Sequence, residues 1–359
     1  MRHMKSIKEQ HLERLASYTR TLYEKPDLRH LFLELTLRCN SKCFHCGSSC
    51  TASAAEDELT LEEYRRLLDQ VKEDFDLSRI MLCVTGGEPL LRPDFFEIMG
   101  YAHRLGYRWG MTSNGTLITK ETAHKLAACG MSTISVSIDG LPETHDRLRG
   151  MPGGYDRAME GIRNLIDERA FRAVQVTTVI NHRNIGELDA LFGIMEGLDI
   201  DSWRVINLEP IGRALERPEL MCTKEDYLRL FEFIRSKRRE GWPVQYGCSH
   251  YLGLEYEREV RDWYWLCNAG VHTASVTSTG EIRACLDIER RPELVQGNIR
   301  TDRFSDVWKT KFAPFRHDLS EENADCALCE HRTFCRGGAH HSWDYERRRP
   351  LVCMKGILF

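Results

Sequence analysis

The residues best suited to chemistry are the cysteines, fourteen in a chain of 359. They are not spread evenly. Cys39, Cys43, Cys46 and Cys50 stand together near the start, and Cys248, Cys267, Cys285, Cys326, Cys329, Cys335 and Cys353 fall in the last third. Only Cys83, Cys129 and Cys222 lie between. Thiolates bind zinc and iron–sulfur clusters, so clumping of this kind reads as metal ligation at two ends of a fold. The first group runs Cys39-x3-Cys43-x2-Cys46, three thiols in one eight-residue loop. Three ligands leave one iron of a cluster open to a reactant. A structural zinc ion would instead close the set with a fourth ligand, which Cys50 or His45 could supply. The later run Cys326-x2-Cys329-x5-Cys335 also suits zinc. Cys83, in the apolar run MLCV, and Cys129, at the end of a helical pattern, read as buried structural thiols.

These loops need a frame. Short apolar runs at 31–37, 80–84, 108–112, 133–138, 173–180 and 202–208 read as strands. Helical spacing follows each, at 61–71, 93–105, 120–128, 155–166, 185–195 and 224–237. Thr60 and Glu63 have capping-box spacing before the first of these helices. Six βα units predict an α/β protein, a partial (β/α)6 TIM-like barrel, open because it has fewer than eight units. In such barrels ligands sit at the C-terminal ends of strands. There the sequence places the cysteine loop, Gly86-Gly87-Glu88, Ser113-Asn114-Gly115, Asp139-Gly140, and Asn207 with Glu209. Residues 1–28 read as a helical lead-in, 29–240 as the barrel, and 241–359 as a small cysteine-rich domain. The last has little continuous apolar core, so bound metal is expected to supply folding energy.

Composition excludes several classes. A net charge of −4 and pI near 6.4 give no reason to expect a nucleic-acid partner. The basic runs at 237–239 and 347–349 read as solvated faces. No export signal opens the chain and no long apolar span crosses a membrane, so a cytoplasmic protein is expected. A disulfide scaffold is then the weaker use of the cysteines.

The segment Cys39-Asn40-Ser41-Lys42-Cys43-Phe44-His45-Cys46 resembles the signature of the radical S-adenosylmethionine superfamily. The resemblance implies a [4Fe–4S] cluster on Cys39, Cys43 and Cys46, with Phe44 and His45 beside the cofactor. Thr85-Gly86-Gly87-Glu88-Pro89 resembles the segment that meets the cofactor's amino group. Ser113, Asn114, Ser137 and Asp139 look like the strand-end residues near its ribose and carboxylate. Arg149 and Arg204 would pair with that carboxylate or with substrate. The stretch from Asn207 to Arg213 resembles a proline–glycine–arginine turn of relatives with extra clusters.

The later cysteines resemble the SPASM extension of peptide maturases. It implies an outer auxiliary [4Fe–4S] cluster on Cys326, Cys329, Cys335 and Cys353. Cys267 and Cys285 would belong to an inner one, but Ala339 stands where the family has a cysteine. Cys248, His340 or His341 would substitute, or the inner cluster is absent, giving one or two auxiliary clusters. The family reaction passes an electron from the reduced cluster to S-adenosylmethionine, and the resulting 5′-deoxyadenosyl radical takes a hydrogen from substrate. Asp287, two residues past Cys285, is the family-like candidate for a base, with Tyr246 and Cys248 as further acid, hydrogen-donor or ligand candidates. The expected substrate is a side chain of a ribosomally made peptide, oxidised or cross-linked, with a separate leader-recognition protein as partner. The alternative is a small metabolite such as an aminoglycoside sugar or a tetrapyrrole. Either reaction needs an external electron donor such as flavodoxin or ferredoxin.

Overall fold

The computed structural model describes residues 7–359 apart from Cys248 and Trp263. The chain opens with α1 (Ile7–Glu24) and then alternates. β1 (His30–Glu34), α2 (Leu61–Asp74), β2 (Met81–Thr85), α3 (Phe95–Leu105), β3 (Arg108–Ser113), α4 (Lys120–Ala128) and β4 (Met131–Ser137) come first. Two helices, α5 (Pro142–Arg149) and α6 (Gly154–Glu168), lead to β5 (Ala173–Ile180), α7 (Leu188–Glu196), β6 (Ser202–Asn207) and α8 (Lys224–Arg239). The capping box of α2 forms as expected: Glu63 N donates to Thr60 Oγ1 at 3.3 Å and Thr60 N to Glu63 Oε2 at 2.8 Å.

The six expected strands pair in parallel in sequence order. Two short strands extend both edges. β7 (Val244–Tyr246) joins β6, and β8 (Thr273–Val276), reached through α9 (Gly253–Val260), runs parallel to β1. β9 (Glu281–Arg283) and β10 (Gly297–Asn298) then add antiparallel beyond β8. The sheet therefore ends at β7 on one edge and at β10 on the other. After β10 come only short helices, α10 (Phe304–Thr310), α11 (Ala324–Ala327) and α12 (Arg332–Cys335).

Strand alternation sorts the side chains. Leu31, Leu33, Leu82, Val84, Trp109, Val176 and Trp203 are buried on the outer face under the helices. Trp109 meets Phe95 of α3 and Trp203 meets Phe233 of α8, both edge to face. The alternate residues face the interior and are mostly polar. Ser135 Oγ bonds Thr177 Oγ1 at 2.6 Å, and Gln175 Nε2 donates to Ser202 Oγ at 2.8 Å and to Gln245 Oε1 at 3.2 Å. Arg204 Nε donates to Thr177 Oγ1 at 3.1 Å, and its charge is felt by Cys83 on β2. A hydrophilic interior of this kind suits a barrel that admits ligand.

Candidate functional site

The cysteine loop leaves the end of β1 and returns to it. Cys39 N donates to Thr51 O at 2.7 Å and Thr51 N to Leu37 O at 3.1 Å, which closes residues 39–51 into a ring. Neighbours fix its interior. Lys42 N and Phe44 N donate to Arg149 O and Leu148 O at the end of α5, at 3.0 and 2.8 Å. Arg213 donates through its main-chain N to Cys46 O (3.0 Å) and through Nε and Nη1 to Cys43 O (2.8 Å) and Cys50 O (2.6 Å). The loop is short of internal secondary structure, so its carbonyls depend on these donors.

The glycines of Gly86-Gly87-Glu88 answer a steric demand. A Cβ on Gly86 would stand 2.3 Å from Thr36 O, and one on Gly87 2.2 Å from Arg38 O. The turn after β2 thus lies directly on the backbone that leads into the cysteine loop, and Gly87 N donates to Thr36 O at 2.7 Å. Glu88 then turns inward. It has no exposed surface and accepts from Ser113 Oγ at 3.0 Å and from Asn114 N at 2.8 Å. Asn114 Nδ2 continues to Asn40 Oδ1 of the cysteine loop at 2.7 Å. Three strand ends are joined in this way.

Asp139, at the end of β4, anchors the other side. It is fully buried and meets Arg149 Nε at 2.8 Å and Nη2 at 2.7 Å, His45 Nε2 at 3.0 Å and Val179 N at 2.9 Å. Although burial opposes its charge, the Arg149 guanidinium and His45 hold its carboxyl far below the usual carboxylate range. Asp139 N donates to His145 Nδ1 at 3.1 Å, and burial, with Arg149 next, lowers this imidazole to about 4, so the ring is neutral. Phe44 packs apart from these groups, in a cluster with Leu148 and Leu208, with the Arg217 guanidinium 4.7 Å over its ring.

Burial pushes Glu88 up to about 7, against the pull of its amide and hydroxyl donors. A folded value above the unfolded one near 4.5 means stability that is complete below pH 4.5 and lost as pH rises through 7. Glu88→Gln cannot ionise. Thermal unfolding of the two forms, prepared alike, should therefore shift in favour of the variant by about 2–3 kcal/mol between pH 5 and pH 8. A constant difference across that range would contradict an ionising Glu88.

The residues fit a cluster with an organic cofactor. The thiols of Cys39, Cys43 and Cys46 share one loop. His45 Nδ1 and Arg213 Nη2 are buried beside it without hydrogen-bond partners, as groups awaiting a ligand would be. Burial raises the Cys43 thiol to about 11 and raises Cys39 as well. A hydrogen bond from Cys50 lowers Cys46. A cluster held by these thiols would expel protons from the first two on binding.

A second cavity holds Cys326, Cys329, Cys335 and Cys353, with His250 and Tyr251 in its wall. Burial, then the neighbouring Cys353, raises Cys335 to about 12, and Cys326 and Cys329 act on it too. The four thiols are thus neighbours. Burial, then Cys267 and Cys285, raises the Tyr345 hydroxyl, which bonds His340 Nδ1 at 3.1 Å. Burial lowers His340 to about 3. Ala339 is buried against Tyr251 and Trp265.

The remaining expected residues are scattered. Asp287 is exposed, its Oδ2 4.0 Å from Cys285 Sγ. Ser137 ends β4, with its backbone paired to Thr177 on β5. Arg204 and Tyr246 line a cavity of about 970 Å³ beside β7 and the starting ends of β1 and β8, where Arg29, His30 and His272 also line it. Tyr246 donates to Asn207 Oδ1, and Asn207 and His250 hold Glu209 Oε1 at 2.9 and 2.8 Å. Cys248 lies outside the described residues. The roles of Arg213, Asn40 and His250 went unread in the sequence, because each bonds across more than 40 positions and no local pattern marks them.

Comparison with known proteins agrees with this geometry. Residues 33–193 match the radical SAM superfamily and residues 267–331 the iron–sulfur cluster-binding SPASM domain. The chain is 33% identical to an AdoMet-dependent heme synthase of Methanosarcina barkeri, over 88% of this chain and 94% of that protein. It is 30% identical to the mycofactocin maturase MftC of Mycobacterium tuberculosis, over 85% of this chain and 76% of that one. Streptococcus suis SuiB bound to precursor peptide SuiA superposes with a TM-score of 0.72 at 18% identity, covering 92% of this chain and 76% of that one. Among the described residues no helix is long and apolar enough to cross a membrane.

Proposed function

The chain belongs to the radical SAM superfamily and is a radical SAM enzyme with a SPASM iron–sulfur domain; from this premise we propose that it oxidises a carboxylate-bearing side chain of an iron tetrapyrrole. Cys39, Cys43 and Cys46 would hold the cluster that meets S-adenosylmethionine, and Cys326, Cys329, Cys335 and Cys353 the outer cluster. When bound, these groups supply a carbon radical able to take an unactivated hydrogen and an acceptor for the electron left behind.

The observation that carries the reading is the 33% identity to an AdoMet-dependent heme synthase over 88% of this chain; a cavity of about 970 Å³ lies beside β7 and the starting ends of β1 and β8. That is the size of a site for a large, compact ligand. Tyr18, Tyr246, Tyr264 and Trp265 give it flat apolar walls, and Arg204 brings a guanidinium to it from the barrel interior. A guanidinium recognises carboxylates by paired hydrogen bonds, and aromatic walls suit a planar ring. The heme-synthase relatives support the same class.

A peptide is the second reading, favoured by the mycofactocin maturase relative and by a groove that continues from the cavity. His11, Arg14, Tyr18, Arg258 and Tyr264 line that groove, and an extended chain could follow it. A separate leader-recognition protein belongs with that reading, and an external electron donor with both.

The test uses the anaerobically reconstituted chain with dithionite, S-adenosylmethionine, and either iron coproporphyrin III or a candidate precursor peptide. The porphyrin should raise 5′-deoxyadenosine formation above the substrate-free rate and lose mass. Arg204→Gln should weaken porphyrin binding by roughly a hundredfold, from ~2–3 kcal/mol of lost charge pairing. Stimulation by the peptide alone would replace the first reading with the second.

A further inference from the structure

Glu34 ends β1 with a carboxylate that the cofactor site does not use. Leu31 and Leu33 lie under the helices, so strand alternation turns Glu34 into the barrel interior. It stands opposite Thr85, the residue before Gly86-Gly87-Glu88, and has no exposed surface. Arg290 Nη2 pairs with its Oε2, and Ser278 N donates to its Oε1 at 3.4 Å. Arg290 reaches Glu34 from the segment after Cys285. The buried Arg283 fixes that segment, donating from Nη2 to Ile288 O at 3.4 Å and to Glu289 O at 2.6 Å. The Arg290 guanidinium is thus set in place from both sides, yet its donors are not used up. Its side chain is 34% exposed, and among the described residues its Nε and Nη1 have no hydrogen-bond partner. Ser278 Oγ, on the other flank of Glu34, is buried without a partner as well, as a donor awaiting an acceptor would be.

Building on the tetrapyrrole reading, we propose that Arg290 binds the carboxylate of the substrate arm that meets the radical, with Glu34 as its positioning residue. Glu34 takes a bond from Nη2 alone, which leaves donors for a second carboxylate. Arg204 brings its guanidinium to the cavity at the starting ends of the strands. Arg290 stands at the finishing end of β1, on the rim shared by the cysteine loop and the Gly86-Gly87-Glu88 turn. A ligand with several carboxylate arms meets one guanidinium at each end, and the arm on Arg290 is the one brought to the rim. Arg290 exchanges no proton and no electron; it aligns the arm from which hydrogen is taken.

The test compares reconstituted wild type with Arg290→Lys and with the double variant Glu34→Gln/Arg290→Gln. The double variant removes both charges together and so leaves no buried carboxylate unpaired. Anaerobic equilibrium dialysis measures the binding of iron coproporphyrin III and of its tetramethyl ester, whose arms carry no charge. The double variant should bind the acid roughly thirtyfold more weakly than wild type and the ester equally well. Arg290→Lys keeps the charge but not the fork and should lose roughly three- to tenfold toward the acid. With saturating acid, dithionite and S-adenosylmethionine, the double variant should still release 5′-deoxyadenosine but yield less porphyrin of lower mass for each one released. Equal weakening toward acid and ester would show that Arg290 only straps its segment to β1, and would overturn the proposal. If wild type and the double variant bind the acid alike, the proposal falls alone. If wild type binds neither porphyrin, the tetrapyrrole reading falls and the proposal with it.

Discussion

Replacing Cys39, Cys43 and Cys46 together with alanine is expected to cut the iron of the reconstituted chain from about eight atoms to about four, and to reduce 5′-deoxyadenosine formation to background. Two clusters of four irons account for the larger number. The surviving four belong to the outer set, whose thiols sit in a separate cavity on α11, α12 and the last residues. Iron and sulfide counts with chromatography of the nucleoside products check both parts. About twelve irons in wild type would place a third cluster at Cys267 and Cys285. Cofactor cleavage that survives the triple substitution would refute the assignment of the N-terminal cysteines.

Arg149→Met is expected to destabilise the fold by about 3–5 kcal/mol, because it leaves the buried Asp139 carboxylate without its main counter-charge. Neutralising both partners, Asp139→Asn with Arg149→Met, should restore a large part of that loss, since the cost comes from the orphaned charge rather than from the absent pair. Denaturant unfolding of the two single variants and the double variant closes the cycle. The pH dependence distinguishes this pair from Glu88. Asp139 has a depressed folded value, so its stabilisation is present above the unfolded value near 4 and fades only as pH falls toward the folded one. The Arg149→Met deficit should therefore stay flat from pH 5 to pH 8, while the Glu88→Gln difference drifts. The same substitution disturbs His45, whose Nε2 shares Asp139 Oδ2 with Arg149, so cofactor affinity should fall along with stability.

Much of this site was legible because its residues sit at strand ends. Short apolar runs locate six strands, and parallel pairing then brings the residues after each strand to one rim of the barrel. Gly86, Glu88, Ser113, Asn114 and Asp139 meet there for that reason alone. The resemblance puts these glycines at the cofactor's amino group; the backbone shows a nearer cause for them, contact with Thr36 and Arg38. What escaped the sequence was non-local. β7 has three residues and β8 four, too few for any period to declare itself, and β8 pairs with a strand more than 240 positions earlier. Arg213 looked like part of a turn motif, but its work is to hold three carbonyls of a loop 163 or more residues away. Charge partners such as Asp139 and Arg149 were both singled out in the sequence; that they bind each other required the fold.

The pairing of β8 with β1 has a consequence for how the protein is made. β1 emerges from the ribosome early, and β2 can cover one of its edges soon after. Its other edge waits for residues 273–276. Until then the strand that launches the cysteine loop shows a row of unpaired backbone groups, a template for association with other chains. The nascent barrel is thus incomplete at its first strand until residues 273–276 have been translated. Iron delivered before that moment would meet a loop whose supporting strand is paired on one side only, so maturation of the first metal centre is tied to the synthesis of the segment that carries the second.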